Sequence, residues 1–211
     1  MMRKIVWIVC VMLAVMTGLY PIIYFLIDRK FGLLSTKSNE VLEQVIWNTA
    51  FYIHIVFGGT ALLIGWIQFS EKLRKAYLKL HRNLGKLYVS SVLLSSIGGV
   101  YMGFFATGGI AASMGFISLG VLWFYVTAAA FITIKKKKVK EHQTLMIYSY
   151  ALCFAAVTLR IWLPLLTLLL GDFNTAYPIT AWVCWVPNLI FAYFLINNIY
   201  KPNLTNNPLS S

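Results

Sequence analysis

Long apolar runs alternate with short charged stretches along the whole chain, and the apolar runs carry no period-2 strand pattern. They fall at about 5–27, 45–69, 83–106, 110–134, 143–170 and 179–199. Each is near the roughly 20 mainly apolar residues that a helix needs to cross a bilayer. The pattern predicts an all-α integral membrane protein, one domain over 1–211, built as a bundle of six transmembrane helices. Pro21 lies inside the first run and predicts a bend there, because it cannot donate to the carbonyl of Thr17. The first run is longer than the apolar core of a signal peptide and meets no small-residue cleavage site before Asp28, so it reads as a retained helix. Gly108 and Gly109 mark a tight turn, Gly171 to Pro178 reads as a polar turn, and the tail from Lys201 reads as polar and disordered.

Composition excludes a soluble domain. Of the 211 residues 60% are hydrophobic and 11% charged, and the mean hydropathy is +0.76; soluble domains carry about 25% charged residues. A net charge of +12 would suggest nucleic acid in a soluble protein, but its placement here points to membrane topology and to no nucleic-acid partner. Fourteen lysines and arginines sit at one set of helix ends and three, all in the first loop, at the other. The positive-inside rule then makes both termini cytoplasmic, with the bundle in a plasma membrane. Trp47, Trp162, Tyr177 and Trp182 near the outer ends and Trp66, Tyr88 and Tyr200 near the inner ones fit interfacial belts. Cys10, Cys153 and Cys184 are isolated in apolar segments and read as small buried hydrophobes.

Candidate chemistry gathers on a few polar residues inside the spans. His142 and Arg160 are eighteen residues apart in EHQTLMIYSYALCFAAVTLRIWLP, five helical turns, and so share one face about 27 Å apart. Met146, Ser149, Cys153 and Ala156 lie between them on that face. Arginine near mid-bilayer costs roughly 3 kcal/mol or more, so a functional reason is expected for it. All six carboxylates fall in loops, which leaves Arg160 without an acidic partner and argues against carboxylate-driven coupling. Pro164 removes the donor for the Arg160 carbonyl and predicts a bend.

His54 lies at a similar depth to Arg160, in a span whose Gly58, Ala61 and Gly65 form a small face suited to close helix approach. His81 and His142 stand at two inner helix entrances, as a six-coordinate b-type haem would need, with Arg82 and Lys86 placed for its propionates. Against these readings stand simpler ones: Arg160 bonded to carbonyls and water, His54 to a neighbouring hydroxyl, and the two inner histidines merely solvated.

Five stretches together resemble a known family: HIVFGGTALLIGWIQF, LHRNLGKLYV, the glycines at 108–109 with GF at 115–116, EHQTLMIYSYALCFAAVTLRIWLP, and WVCWVPNL. Over roughly 45–195 the chain is similar to the bacterial predicted-membrane-protein family catalogued as domain of unknown function 2306, DUF2306. The family's fifth helix entrance usually reads HRxWMxR, where this chain has Gln143, Leu145 and Tyr148 at the Arg, Trp and second Arg positions. The resemblance implies a multi-pass helical fold and no particular activity. Its histidine-bearing bundle is loosely similar to two-haem cytochrome b proteins.

The favoured expectation is therefore binding of haem, quinone or another anionic or redox ligand within the bundle. His81 and His142 would be inner ligands of the haem iron, with His54 and Arg160 forming an outer site. A small transporter or channel, with Arg160 and Asn188 lining a path, and a non-catalytic membrane partner of another complex are the alternatives. The charge asymmetry gives a direct test in a cysteine-free background. Impermeant thiol reagents are expected to label Asn39→Cys and Asn174→Cys in intact cells and to miss Lys75→Cys and Lys137→Cys. Outside labelling at position 137 would reverse the orientation.

Overall fold

The computed structural model describes the backbone of residues 2–27 and 31–200 and the side chains of 4–27 and 31–198. The expectation for the tail falls outside the described residues. Helix α1 (Met2–Leu19) passes through a 3-10 turn at Tyr20–Ile22 into α2 (Ile23–Leu26). Pro21 opens that turn, so the predicted bend is present and takes the form of a tightened turn. The first loop holds a second 3-10 turn, Gly32–Thr36, and α3 (Asn39–Glu43), capped by the Ser38 hydroxyl. Then come α4 (Val45–Gly65), a 3-10 turn at Trp66–Phe69, α5 (Glu71–Ala76) and α6 (Leu78–Gly103).

The basic stretch after Ser70 is thus mostly helix. Ser70 caps α5 by accepting from the Leu73 N–H at 3.2 Å. Glu71 stands in its first turn and Arg74 and Lys75 in its last, as the helix dipole favours. Beyond α6, Gly108 adopts φ 94° and opens α7 (Gly109–Lys135).

The fifth expected span is α8 (Val139–Cys153) and α9 (Ala155–Leu170), interrupted at Phe154 and not at Pro164. Val157 N–H reaches the Phe154 carbonyl at 2.9 Å, a three-residue bond that tightens the helix between His142 and Arg160. The sixth comprises α10 (Phe173–Val183) and α11 (Val186–Tyr200). It begins earlier than expected because the Asp172 carboxylate accepts from the Thr175 N–H at 2.8 Å and starts the helix there. The expected turn 171–178 shrinks to Gly171 and Asp172, and Pro178 lies inside α10.

Among the described residues there is no strand, and five stretches are long and apolar enough to cross a membrane: Lys4–Leu26, Val45–Phe69, Gly109–Lys135, Val139–Leu170 and Phe173–Asn198. Helix α6, with 26 residues, matches them in length but carries charge in its first turns and serines beyond. Its Tyr88, Ser91, Val92, Ser95 and Ser96 are buried. It packs between α4 and α7, so much of its surface meets protein.

Small residues set the helix spacing. A Cβ on Gly98 would lie 2.6 Å from the Ala50 carbonyl oxygen, and one on Gly58 2.9 Å from the Ser95 hydroxyl oxygen. The small face expected on the second span is therefore used, against α6. Three buried hydroxyls then tie α6, α7 and α8. The Thr127 hydroxyl donates to the Trp123 carbonyl at 2.7 Å, so it can only accept from Ser149, 2.7 Å away. Ser149 in turn accepts from Tyr88 at 2.8 Å.

That direction makes the chain asymmetric. Ser149→Ala strands the Tyr88 hydroxyl and is expected to cost about 1–3 kcal/mol, whereas Tyr88→Phe removes only the outer donor and costs less. The double variant should lose less than the two singles together. Thermal unfolding in detergent measures all three, and additive losses would show that the groups act separately.

Candidate functional site

In the end of the bundle nearest the first loop, among α1, α4, α6, α7 and α9, lies a cavity of about 270 Å³, covered by the Gly32–Thr36 turn and Lys37. Arg160, Lys37 and His54 line it, and no carboxylate does among the described residues. The depth argument from sequence is met in that α4 and α9 bring His54 and Arg160 to one chamber.

His54 is held against α6. Its Nδ1 is 2.9 Å from the Ser95 carbonyl oxygen. A carbonyl only accepts, so Nδ1 carries the hydrogen and Nε2 of the neutral ring is left as an acceptor. The Ser95 hydroxyl donates to the His54 carbonyl at 2.9 Å. A Cβ on Gly99 would stand 2.9 Å from Nδ1, so a glycine is needed for the ring to seat there.

Arg160 is held by weaker contacts. Its Nη1 donates to the Ala156 carbonyl at 2.8 Å, the one hydrogen bond its guanidinium makes among the described residues. Its Cζ lies over the Tyr20 ring at 4.4 Å from the centroid, a contact worth about 0.5–2 kcal/mol. Tyr20 and Tyr24 also support the outer loop. Gly32 has φ 60°, and a Cβ there would meet their hydroxyls at 3.1 and 3.4 Å. Among the described residues no ion pair reaches Arg160; Lys75 with Glu71 and Lys138 with Glu141 are exposed pairs elsewhere.

Lys37 was legible only as one of three outer positive charges. Its ammonium donates to the Phe105 carbonyl and, at 3.0 Å, to the Thr107 hydroxyl, bridging the outer loop to the end of α6. Burial lowers its pKa from the usual 10.5. The signal that marks it is the pair of apolar residues Leu34 and Leu42 in an otherwise polar loop, which bury themselves and carry Lys37 inward. Trp47 and Tyr177, expected as interfacial belt residues, are buried in the cavity wall; Tyr88 is likewise internal. Trp47 stacks on Phe51 at 5.5 Å, and Trp123 adds to the same wall. Trp47 Nε1 and the Ser96 hydroxyl are buried without a hydrogen-bond partner among the described residues.

His81 and His142 are near enough that the charge of one acts on the other, but neither lines this cavity. His142 Nδ1 is 2.8 Å from the Ala130 carbonyl oxygen, which fixes its tautomer and leaves Nε2 as acceptor. His81 Nδ1 is buried without a partner. Asn188 also lies apart from the cavity. Its amide donates to the Ala151 and Cys184 carbonyls at 3.2 and 3.0 Å and to the Thr158 hydroxyl at 3.1 Å, joining α8, α9 and α11.

A family model described as a predicted membrane protein, DUF2306, matches residues 51–196. No curated protein and no solved structure matches the chain.

The inner histidines generate a pH prediction. Burial, and the charges of Arg74, His142 and Arg82, hold His81 below its ordinary pKa of 6.5. Below pH about 6.5 the unfolded chain takes up this proton before the folded one does, so stability falls as pH drops. His81→Gln is expected to remove part of the decrease in Tm between about pH 7 and 5. An unchanged slope would show that His81 does not titrate in that window.

Proposed function

We propose that this chain, which belongs to the DUF2306 family of predicted membrane proteins, binds an anionic small molecule in its outer cavity. The observation that carries the reading is the pair of cations, Arg160 and Lys37, on a chamber with no carboxylate among the described residues. In a low-dielectric setting an uncompensated arginine costs several kcal/mol after relaxation. A carbonyl and a tyrosine face satisfy only part of the guanidinium.

The membrane arrangement we infer has six crossings, with α6 as the sixth and both termini cytoplasmic in a plasma membrane. The length of α6 and its place between two apolar helices support this, as does the charge asymmetry. The cavity then faces the outer side.

Arg160→Leu separates a ligand site from a merely structural arginine. If carbonyls and water suffice, an apolar replacement should leave stability equal or higher. With a ligand bound, it should lose the co-purifying molecule and lower the Tm by about 5 °C or more. Arg160→Lys should restore part of this and His54→Ala should lose less. Thermal unfolding with mass spectrometry of bound small molecules reads both. An Arg160→Leu protein as stable as wild type, with the same molecules bound, rejects the reading.

A b-type haem held by His81 and His142 is the second reading. The His142 tautomer supports it, since a ligating imidazole commonly donates its other N–H to a carbonyl, as does the unpartnered His81 Nδ1. When bound, such a group supplies one-electron redox chemistry. A Soret band in the purified protein, lost or turned high-spin in His81→Ala and in His142→Ala, is the expected signature. A colourless preparation from cells grown with sufficient iron removes it.

A further inference from the structure

Arg160 lines the cavity and is also exposed. Pro164 and Leu168, one and two turns further along α9, are exposed as well, as are Ile161 and Leu165 beside them. The outward-facing stripe of α9 therefore runs through Arg160. Facing it is α1 with the turn that follows. Thr17 and Tyr20 line the cavity there, while Met16 and Leu19 next to them are exposed. The guanidinium reaches from α9 onto the Tyr20 ring, across the seam between these helices. Toward the loop the chamber is covered, because Lys37 is bonded to Phe105 and Thr107 and Leu34 is buried above it.

We propose that the seam between α1 and α9 is a lateral portal, and that the ligand is a membrane-dissolved, single-chain carboxylate of the medium-chain fatty-acid class. The inference rests on the anionic-ligand reading and adds the route and the chemical class. Arg160 is the threshold residue. Tyr20 holds the guanidinium by its face, which leaves N–H groups at the edge for the two oxygens of a carboxylate. The wall beyond is apolar and aromatic, with Trp47, Phe51 and Trp123, and suits a hydrocarbon chain better than a hydrated anion. The cavity volume of about 270 Å³ lies at the small end of the roughly 300–1,000 Å³ of small-molecule pockets, which favours one short chain over the two chains of a phospholipid.

The test uses the full chain in nanodiscs of neutral phosphatidylcholine, with a ten-carbon fatty acid bearing a diazirine as the probe. Photo-crosslinks mapped by mass spectrometry are expected on Thr17, Tyr20, Leu159 or the aromatic wall. Decanoate should displace the probe, whereas methyl decanoate, succinate and phosphatidylglycerol should not. Arg160→Leu is expected to lower the crosslinking yield at least tenfold. Arg160→Lys, which keeps the charge and so guards against loss of folding, should lower it at least threefold.

Displacement by succinate as effective as by decanoate would overturn the lipid-borne class and leave the anion site standing. Equal displacement by phosphatidylglycerol would overturn the single-chain assignment, and equal displacement by methyl decanoate the carboxylate. A yield unchanged in both Arg160 variants would overturn this inference; if an aqueous anion then still stabilises the wild type alone, the broader reading survives, and if none does, both fall.

Discussion

The backbone contact between α4 and α6 is the constraint on which the rest of the molecule depends. Lipid tails are as apolar as leucine, so helices in a bilayer gain little by burying apolar side chains against each other. Close packing and interhelical hydrogen bonds must hold them. Gly98 meets the Ala50 carbonyl and Gly58 meets Ser95 at distances that exclude a larger residue on either helix. Because the two backbones touch, the Ser95 carbonyl can reach the His54 ring and the Ser95 hydroxyl the His54 carbonyl. The same contact that holds the bundle thus sets the imidazole's position and tautomer. It also explains how a serine-bearing helix of modest hydropathy can stand at the centre, since Ser91, Ser95 and Ser96 are buried between helices.

The charges of the site are held differently from its imidazole. His54 is fixed by two hydrogen bonds to a packed helix, while Arg160 has a carbonyl of its own helix and the face of Tyr20. Lys37 is tied to Phe105 and Thr107 through a loop. The rigid element is therefore neutral, and the two cations sit one on the exposed edge of α9 and one in the loop that covers the chamber. A binding site with this division keeps its apolar wall constant while the cations, one at the seam and one in the cover, can follow a ligand's oxygens. The Tyr20 and Tyr24 hydroxyls beneath Gly32 connect the cover to the ring that supports Arg160, so the two cations share one support.

Residues that look interfacial in a linear reading can be internal. Trp47, Tyr88 and Tyr177 lie near helix ends by count, yet each turns inward and fills space between helices. An aromatic side chain at a given depth can satisfy either environment, and only its angular position about the helix axis decides. Trp182, at the same end as Tyr177, keeps an exposed ring and donates to the Ala111 carbonyl at 3.1 Å. The two lie five residues apart on α10, about 7.5 Å along its axis, and point in different directions about it.

What the sequence determined by itself follows from chemistry along one helix at a time. Apolar run length set the membrane class, Pro21 the irregularity in the first helix, and the order of blocks such as HIVFGGTALLIGWIQF within this chain the family resemblance. Depth, counted at 1.5 Å per residue, was enough to pair His54 with Arg160. Tertiary structure alone decided which faces meet. The hydroxyl chain from Tyr88 through Ser149 and the inward turn of Lys37 depend on neighbours far away in the chain. So does the proposed portal, which rests on α9 turning Arg160 toward both the chamber and its exposed stripe. A cavity is a property of the distances between helices, and those are set by interlocking small residues on different segments, which the periodicity of any one segment does not record.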